Sequence, residues 1–582
     1  MTDQALAGKK AFVLPPTPTG VNSGRRRIIQ RYWHWAVVVL LAIILWAPRL
    51  SGPIDLRWDG GVYYLLGTSL ATGHGYRILS EPGSPEALQY PPLLPAVVAL
   101  YERALGSTDP AIVAPWLRIS YAAMFLVYAL AVFALARKYL RPTFALIATA
   151  PCLFHIWTIF LSDVLFAEIP FAMVSVVFVL VATNGPTLSR PWLREAASFV
   201  LATAGFLLRT AGIVLFAAWL IEAVLRRQWQ LAFARGVLAL LPVALWQAHV
   251  ERVHHSDEYR HPAYEYQRAP YQNYNVTYSE NFRLLDPFRP ERGLADKHVL
   301  ATRLEKNFVR MPVRLGEAIS APKQFWQSAI QYGSLRRYLL PGGIVLVPIV
   351  GLGVVVIAGF VLLIRRREWT LTSILFASIG LICFTPWPEE FHRYLTPVCA
   401  FLTIAAVLAL QQLYALHGRK LRTTPELSRV VIASLVGLGL AVQTATATRL
   451  LLSHHAKQVN VLPRSGVMGA HFFHNHDWFA WEQAVGWIGV HAGPTDIVAT
   501  TSPHQVYLRI GLHAVYPPFV ADPGRARRQL EAVPVKYVII DEFEYRDFSR
   551  RYALPAVEGD PLTWRLVYSI DHTRVYEHIA GS

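Results

Sequence analysis

The chain has 582 residues, 54 % of them apolar and only 16 % charged. A soluble protein of that length carries about a quarter charged residues, so a single soluble globular fold is excluded. Long apolar runs separated by short basic clusters define a polytopic membrane protein instead. The formal net charge of +17 is dispersed between those runs. It reads as topology, with basic residues holding loops on the cytoplasmic side. No basic stripe exists that would bind nucleic acid, whereas attraction to anionic lipid head groups is compatible. Cys152, Cys383 and Cys399 all fall in apolar runs and show neither a disulfide framework nor metal-ligand spacing; no metal and no cofactor is expected.

Taken in order, residues 1–31 read as a disordered cytoplasmic tail ending in Arg25, Arg26, Arg27 and Arg31. Residues 32–50 are a first span, retained as a signal anchor rather than cleaved. The segment 51–111 follows on the outer side, opening with Trp58-Asp59-Gly60-Gly61. Tyr63, Leu66 and Leu70 recur at helical spacing from Asp59, and Gly73 and Gly75 end the pattern. Spans are expected over 112–136, 142–161 and 164–183. The run 196–225 is too long for one crossing and is expected to break near Arg209. Further spans are 230–250, 342–364, 370–385, 396–415 and 428–449, about eleven in all. Between them, 251–340 is a long outer segment dense in tyrosine, including Tyr264, Tyr266, Tyr274 and Tyr278. The compact basic clusters then all fall on one side, and the segments rich in Asp, Glu, Trp and Tyr on the other.

The domain reading is therefore a transmembrane unit over 32–454 and a periplasmic α/β unit over 455–582. In the latter, 496–500 and 536–541 read as buried strands, 478–490 and 523–532 as helices, and 564–570 with 573–578 as a closing hairpin. No Gly-rich phosphate fingerprint opens a helix there, so it is expected to be an accessory or acceptor-side domain.

This topology brings Asp59, Asp163, Glu168, Arg209, His392 and Arg393 to one depth, the outer membrane boundary. Charges near lipid cost about 2.5–3.5 kcal/mol at a helix centre, so groups gathered there either neutralise one another or line a polar cavity. The set suits group transfer from a lipid phosphate. A carboxylate takes the proton of an incoming hydroxyl, and arginines hold the departing phosphate. Tyr63, Tyr64 and Tyr90 are candidates to border the substrate, although aromatic anchoring at the membrane boundary explains them equally well.

These blocks resemble a known family. An acid just after the first span is followed by Tyr63-Tyr64 and Gly73-His74-Gly75; then come Tyr90-Pro91-Pro92-Leu93-Leu94-Pro95, Ser162-Asp163 with Glu168 and Pro170, Arg209 with Gly212, and Arg393-Tyr394-Leu395 with Pro397. Their order is similar to that of GT-C-fold membrane glycosyltransferases, specifically the family-39 group. That group includes the dolichyl-phosphate-mannose protein mannosyltransferases and the bacterial aminoarabinose transferase of lipid A. The resemblance spans roughly residues 30–450. It implies a polyprenyl-phosphate sugar donor, an envelope glycan, lipid or protein acceptor, an inverting mechanism and an active site on the periplasmic face of a bacterial inner membrane. It further implies Asp59 as base, with Asp163 or Glu168 assisting; Arg209, Arg393 and His392 are the expected phosphate ligands. One position departs from the pattern: Gly60 stands where family members often carry a second acid, which argues against a paired-carboxylate or metal role at this loop. The competing class is a transporter or flippase of a lipid-linked or anionic substrate, for which internal repeats and ionisable groups at mid-membrane would be expected.

Overall fold

A computed structural model of the chain describes residues 20–183, 190–331, 345–420, 425–456, 458–462 and 467–579. Most of the expected tail lies outside them, but the first helix starts earlier than expected, running Gly20–Trp46. Among the described residues, five helices are long and apolar enough to cross a membrane: Tyr32–Arg49, Pro110–Tyr139, Trp229–His254, Leu346–Arg365 and Pro388–Leu413. Pro142–Phe154 and Ile156–Asp163 add a sixth crossing if taken as one span bent by 54°. His155 is the break; its extended backbone interrupts the helical ladder just after Pro151. Among the described residues, length and apolarity by themselves identify five or six crossings, so the expected eleven is not confirmed. Three more apolar helices, Glu168–Thr183, Thr210–Leu225 and Trp369–Cys383, are shorter than the ~17–25 residues of an ordinary crossing, and the apolar stretch Val436–Leu452 lies within the longer helix Pro425–Ala456. The helix Pro191–Leu208 carries Arg194 and Glu195 in its first turns.

The long apolar run near residue 209 is broken. Helix Pro191–Leu208 ends at Arg209, which is extended, and a short turn Thr210–Gly212 leads into Ile213–Leu225. Close backbone approach holds the bundle elsewhere. A Cβ on Gly353 would lie 1.8 Å from the Pro312 carbonyl oxygen, and one on Gly316 1.9 Å from that of Ile349. Helices Met311–Ile319 and Leu346–Arg365 therefore touch through their backbones, the small-residue packing that lipid-embedded helices favour.

The C-terminal unit opens with a two-stranded antiparallel ribbon, β1 (Gln458–Leu462) and β2 (Val467–Ala470). A five-stranded sheet follows, built of β3 (Ile497–Ala499), β4 (Ala514–Val515), β5 (Val535–Ile540), β6 (Trp564–Ile570) and β7 (Thr573–His578). Its order is β4-β3-β5-β7-β6. The first three strands run parallel, and the β6–β7 hairpin adds on antiparallel. Helices His476–His491 and Pro523–Ala532 cover it. The burial of Trp478, Trp481, Val485 and Ile488 follows the helical period of the first of these.

This unit is not a detached appendage. Tyr264 and Tyr266 of the long loop pack into its core beside Leu530 and Ile540. The Tyr266 hydroxyl donates to the Tyr516 carbonyl at 3.1 Å, and Gln505 Nε2 donates to the Leu56 carbonyl at 2.6 Å.

Candidate active site

Two loops meet by backbone pairing to build the site. The Asp55 amide donates to the Asp163 carbonyl at 3.1 Å, and the Leu165 amide donates to the Asp55 carbonyl at 2.9 Å. This short parallel bridge sets the chain after the first helix beside the chain before Glu168–Thr183. Trp58 turns the corner with φ of 54°, a left-handed conformation that costs a bulky residue about 1–3 kcal/mol and marks a constrained turn. Its indole lies under the Arg57 guanidinium, 4.5 Å from ring centre to Cζ. Asp59 is the first residue of the helix Asp59–Ala71, where the helix dipole favours a negative charge. Gly60 fits this turn for a packing reason: a Cβ there would lie 3.2 Å from the Asp55 carbonyl oxygen. The Asp55 carbonyl crowds the position that would carry a second acid.

Asp59 accepts a hydrogen bond from the Tyr274 hydroxyl at 2.9 Å through Oδ1, while Arg393 donates from Nη2 to Oδ2. Arg393 also donates from Nε to Glu168 Oε1, and Arg209 pairs with the same oxygen. One planar guanidinium thus bridges two carboxylates that come from loops over a hundred residues apart. Burial pushes the Asp59 carboxyl upward, but the charge and hydrogen bond of Arg393, with the Tyr274 hydroxyl and the Arg546 charge, outweigh it; the net effect is a pKa below the ordinary aspartate value.

Beside this cluster lies a cavity of about 290 Å³. Arg209, Arg393, Tyr63, Tyr90, Tyr278 and Tyr394 line its polar part. Phe171, Val214, Leu381, Ile382 and Val398, from four different apolar segments, line the rest. Asp59 and Glu168 are not among its lining residues, but each is paired with an arginine that is. The Asp59 side chain keeps 10 % of its surface, and that of Glu168 none. Tyr63 and Tyr90 stack in a tilted pair 4.6 Å apart, with Tyr274 5.8 Å from Tyr90.

The remaining expected residues stand apart. Asp163 is fully buried between Arg118 at 3.4 Å and Arg49 at 3.8 Å, which pins the Pro110–Tyr139 helix and the first helix end to the bent pair. Asp163→Asn is therefore expected to cost about 3–5 kcal/mol, because two buried guanidiniums lose their partner. A thermal melt in detergent should show that loss, with turnover of the surviving folded fraction little changed. Tyr64 donates to the Thr108 carbonyl at 3.0 Å and does not reach the cavity. His392 faces away from Arg393, toward Arg314 and Glu317. Among the described residues, no group of three or more His, Cys, Asp and Glu side chains could hold a metal ion.

Sequence reasoning passed over several neighbours of Asp59. Tyr274 and Tyr278 belong to the tyrosine-dense loop, whose crowding was the available signal. His504 and Arg546 come from the C-terminal unit. The His504 ring lies against Gly61, where a Cβ would meet it at 2.7 Å, and packs edge-on to Tyr274 at 5.6 Å. Burial holds that imidazole down to about 4, so it is neutral. Arg546 donates to the Tyr516 hydroxyl at 3.2 Å. Asp59, Glu168 and Glu390 stand against Arg209, Arg393 and Arg546, so the site gathers three carboxylates and three guanidiniums.

The chain is an apolar helical bundle with a carboxylate–arginine cluster, joined to an α/β unit, and its fold is of the GT-C type on its likeness to solved structures. The apo oligosaccharyltransferase of Archaeoglobus fulgidus is similar with a TM-score of 0.51 and 14 % identity, over 88 % of this chain and 70 % of that one. The same archaeal enzyme in complex with an inhibitory peptide and a dolichol-phosphate gives 0.50 and 15 %, over 88 % and 69 %. ArnT from Cupriavidus metallidurans bound to undecaprenyl phosphate gives 0.48 and 12 %, over 95 % and 98 %. No protein-family profile matches the chain, and no curated protein matches it. At these identities the likeness is one of fold.

Proposed function

We propose that the chain is an inverting glycosyltransferase that moves a sugar from a polyprenyl-phosphate donor to an acceptor hydroxyl outside the cytoplasm, with Asp59 as general base. The observation that carries this reading is the Arg393 guanidinium, which lines an apolar cavity while it binds Asp59. A polyprenyl chain suits the apolar walls, and its phosphate suits Arg209 and Arg393. The acceptor approaches from the side of Tyr274 and the C-terminal unit. Its hydroxyl proton passes to Asp59 as the oxygen bonds to the anomeric carbon. The bond from that carbon to the phosphate oxygen breaks on the opposite face, and the electron pair leaves with the phosphate, held by the arginines. A related fold has been solved with a dolichol-phosphate, which supports a lipid-linked donor. The acceptor is an envelope glycan, lipid or protein, and the setting is a bacterial inner membrane with the site on its periplasmic face. The gathering of ionisable groups at one end of the bundle favours transfer over transport.

The purified protein, incubated in detergent with radiolabelled polyprenyl-phosphate sugars and an envelope extract, is expected to release polyprenyl phosphate and label an acceptor. Absence of both products across hexosyl and pentosyl donors would overturn the reading. The pH profile follows from the depressed aspartate. The base is active only when ionised, so the rate attributable to it is retained at neutral pH. That rate is lost only as pH falls below the ordinary aspartate value of 3.8. An acid limb at pH 5 or above in the wild-type protein would contradict the assignment.

A further inference from the structure

A second polar cavity, of about 240 Å³, opens behind the short helix Phe391–Leu395. Arg310, Arg314, Lys323, Glu317 and His392 line it, together with Gln324 and the apolar Val313 and Pro322. It shares no lining residue with the cavity beside Asp59. Consecutive residues on a helix point about 100° apart, so His392 enters this cavity while Arg393 enters the other.

The charges here do not balance. Glu317 is the one carboxylate among the lining residues, and it is already committed. Its Oε2 accepts from Arg314 Nη1 at 2.9 Å, and its Oε1 accepts the Lys323 backbone amide at 2.8 Å. Arg310 and the Lys323 ammonium make no ion pair with any described residue. Two positive charges therefore remain uncompensated. Arg314 also donates to His392 Nε2 at 3.0 Å. An arginine can only donate, so that nitrogen is the acceptor and the neutral ring carries its proton on Nδ1. Nδ1 is buried and has no hydrogen-bond partner among the described residues, and His392 as a whole is 8 % exposed. A cavity lined by three cations and one committed carboxylate suits an anion with several acceptor oxygens.

We propose that Arg310, Arg314 and Lys323 form a second anion site, which takes a phosphate group, distinct from the site that holds the transferred sugar's phosphate. It lies at the bundle end where apolar helices give way to polar loops, the level of lipid head groups. Its frame is rigid, because helix Met311–Ile319 touches Leu346–Arg365 backbone to backbone. A phosphate bound here pulls on Arg314 and His392, one residue from the guanidinium that bridges Asp59 and Glu168.

The test does not depend on the transfer reaction. Native mass spectrometry of the full chain in detergent, titrated with phosphatidic acid or phosphatidylcholine, is compared with Arg310→Gln/Lys323→Gln. The wild-type protein is expected to retain phosphatidic acid at least fivefold over phosphatidylcholine, and the double variant to lose that preference while its thermal melt is unchanged. In a second arm, millimolar inorganic phosphate competes. Displacement of the lipid by phosphate alone identifies the bare anion as the ligand; resistance to it identifies the head group with its lipid. If the double variant binds phosphatidic acid as tightly as the wild type, or the wild type shows neither lipid preference nor phosphate binding, the site does not exist. Should the double variant fail to fold, the single substitution Arg314→Gln takes its place: loss of the lipid preference supports the site, and an undiminished preference rules it out.

Discussion

Asp59→Asn is expected to lower sugar transfer by about 10²–10⁴-fold, the range a positioned general base contributes. Asparagine keeps the shape of the side chain and one carbonyl acceptor, so either the Tyr274 hydroxyl or Arg393 still finds a partner, and Arg393 remains tied to Glu168. The variant should therefore fold and bind the lipid donor while failing to turn it over. Asp59→Glu is the sharper control. The added methylene displaces the carboxylate by about 1 Å in a turn where Gly60 already touches backbone, and a misplacement of that size costs about 10²-fold. If Asp59→Asn retains more than a tenth of the wild-type rate, with donor affinity unchanged, Asp59 is not the base. Glu168 is a poor substitute candidate, since its carboxylate is fully buried and its Oε1 is shared by two arginines.

How much of this was legible in the sequence depends on what each residue's signal reports. Asp59 was visible because an acid directly after a long apolar run has one cheap location, the membrane boundary. The break at Arg209 was visible for the same reason, as a charge inside a run too long to be one helix. Strands β3, β5, β6 and β7 were visible as apolar runs between turns, whereas β1, β2 and the two-residue β4 were not expected. Asp163 and Glu168 looked equivalent at a spacing of five residues, yet they face different partners. The cause is Arg118, hidden inside an apolar run where periodicity reports a buried face and nothing about the ion pair on it. His392 and Arg393 were indistinguishable by depth, and only the helix geometry separates them. Tyr274 and Arg546 reach Asp59 through contacts between segments hundreds of residues apart, for which no local pattern exists. The count of about eleven spans is not confirmed, for a different reason. Composition finds apolar runs, but it does not distinguish a helix that crosses from a shorter one packed against its neighbours.

Arg393 should be the least replaceable cation in the protein. It donates from two separate nitrogens to two carboxylates and presents its plane to the cavity, with Phe166 stacked 4.4 Å from Cζ. A lysine has a single ammonium and no plane, so Arg393→Lys is expected to recover less than a tenth of the wild-type rate. Arg393→Gln should lose about 10²–10³-fold, the cost of removing one donor aimed at developing negative charge. The diagnostic that separates a chemical role from a structural one is the acid limb of the rate. In the wild-type protein the Arg393 charge is the leading influence that counters burial at Asp59. Without it, burial dominates and the carboxyl rises. Activity remaining in Arg393→Gln should then be lost as pH falls through a value above the ordinary aspartate range, whereas Arg209→Gln, whose partner is Glu168, should leave the limb in place while weakening donor binding. Identical acid limbs in Arg393→Gln and the wild type would mean that this arginine does not govern the ionisation of Asp59, and the bridging geometry would then be a device of folding alone.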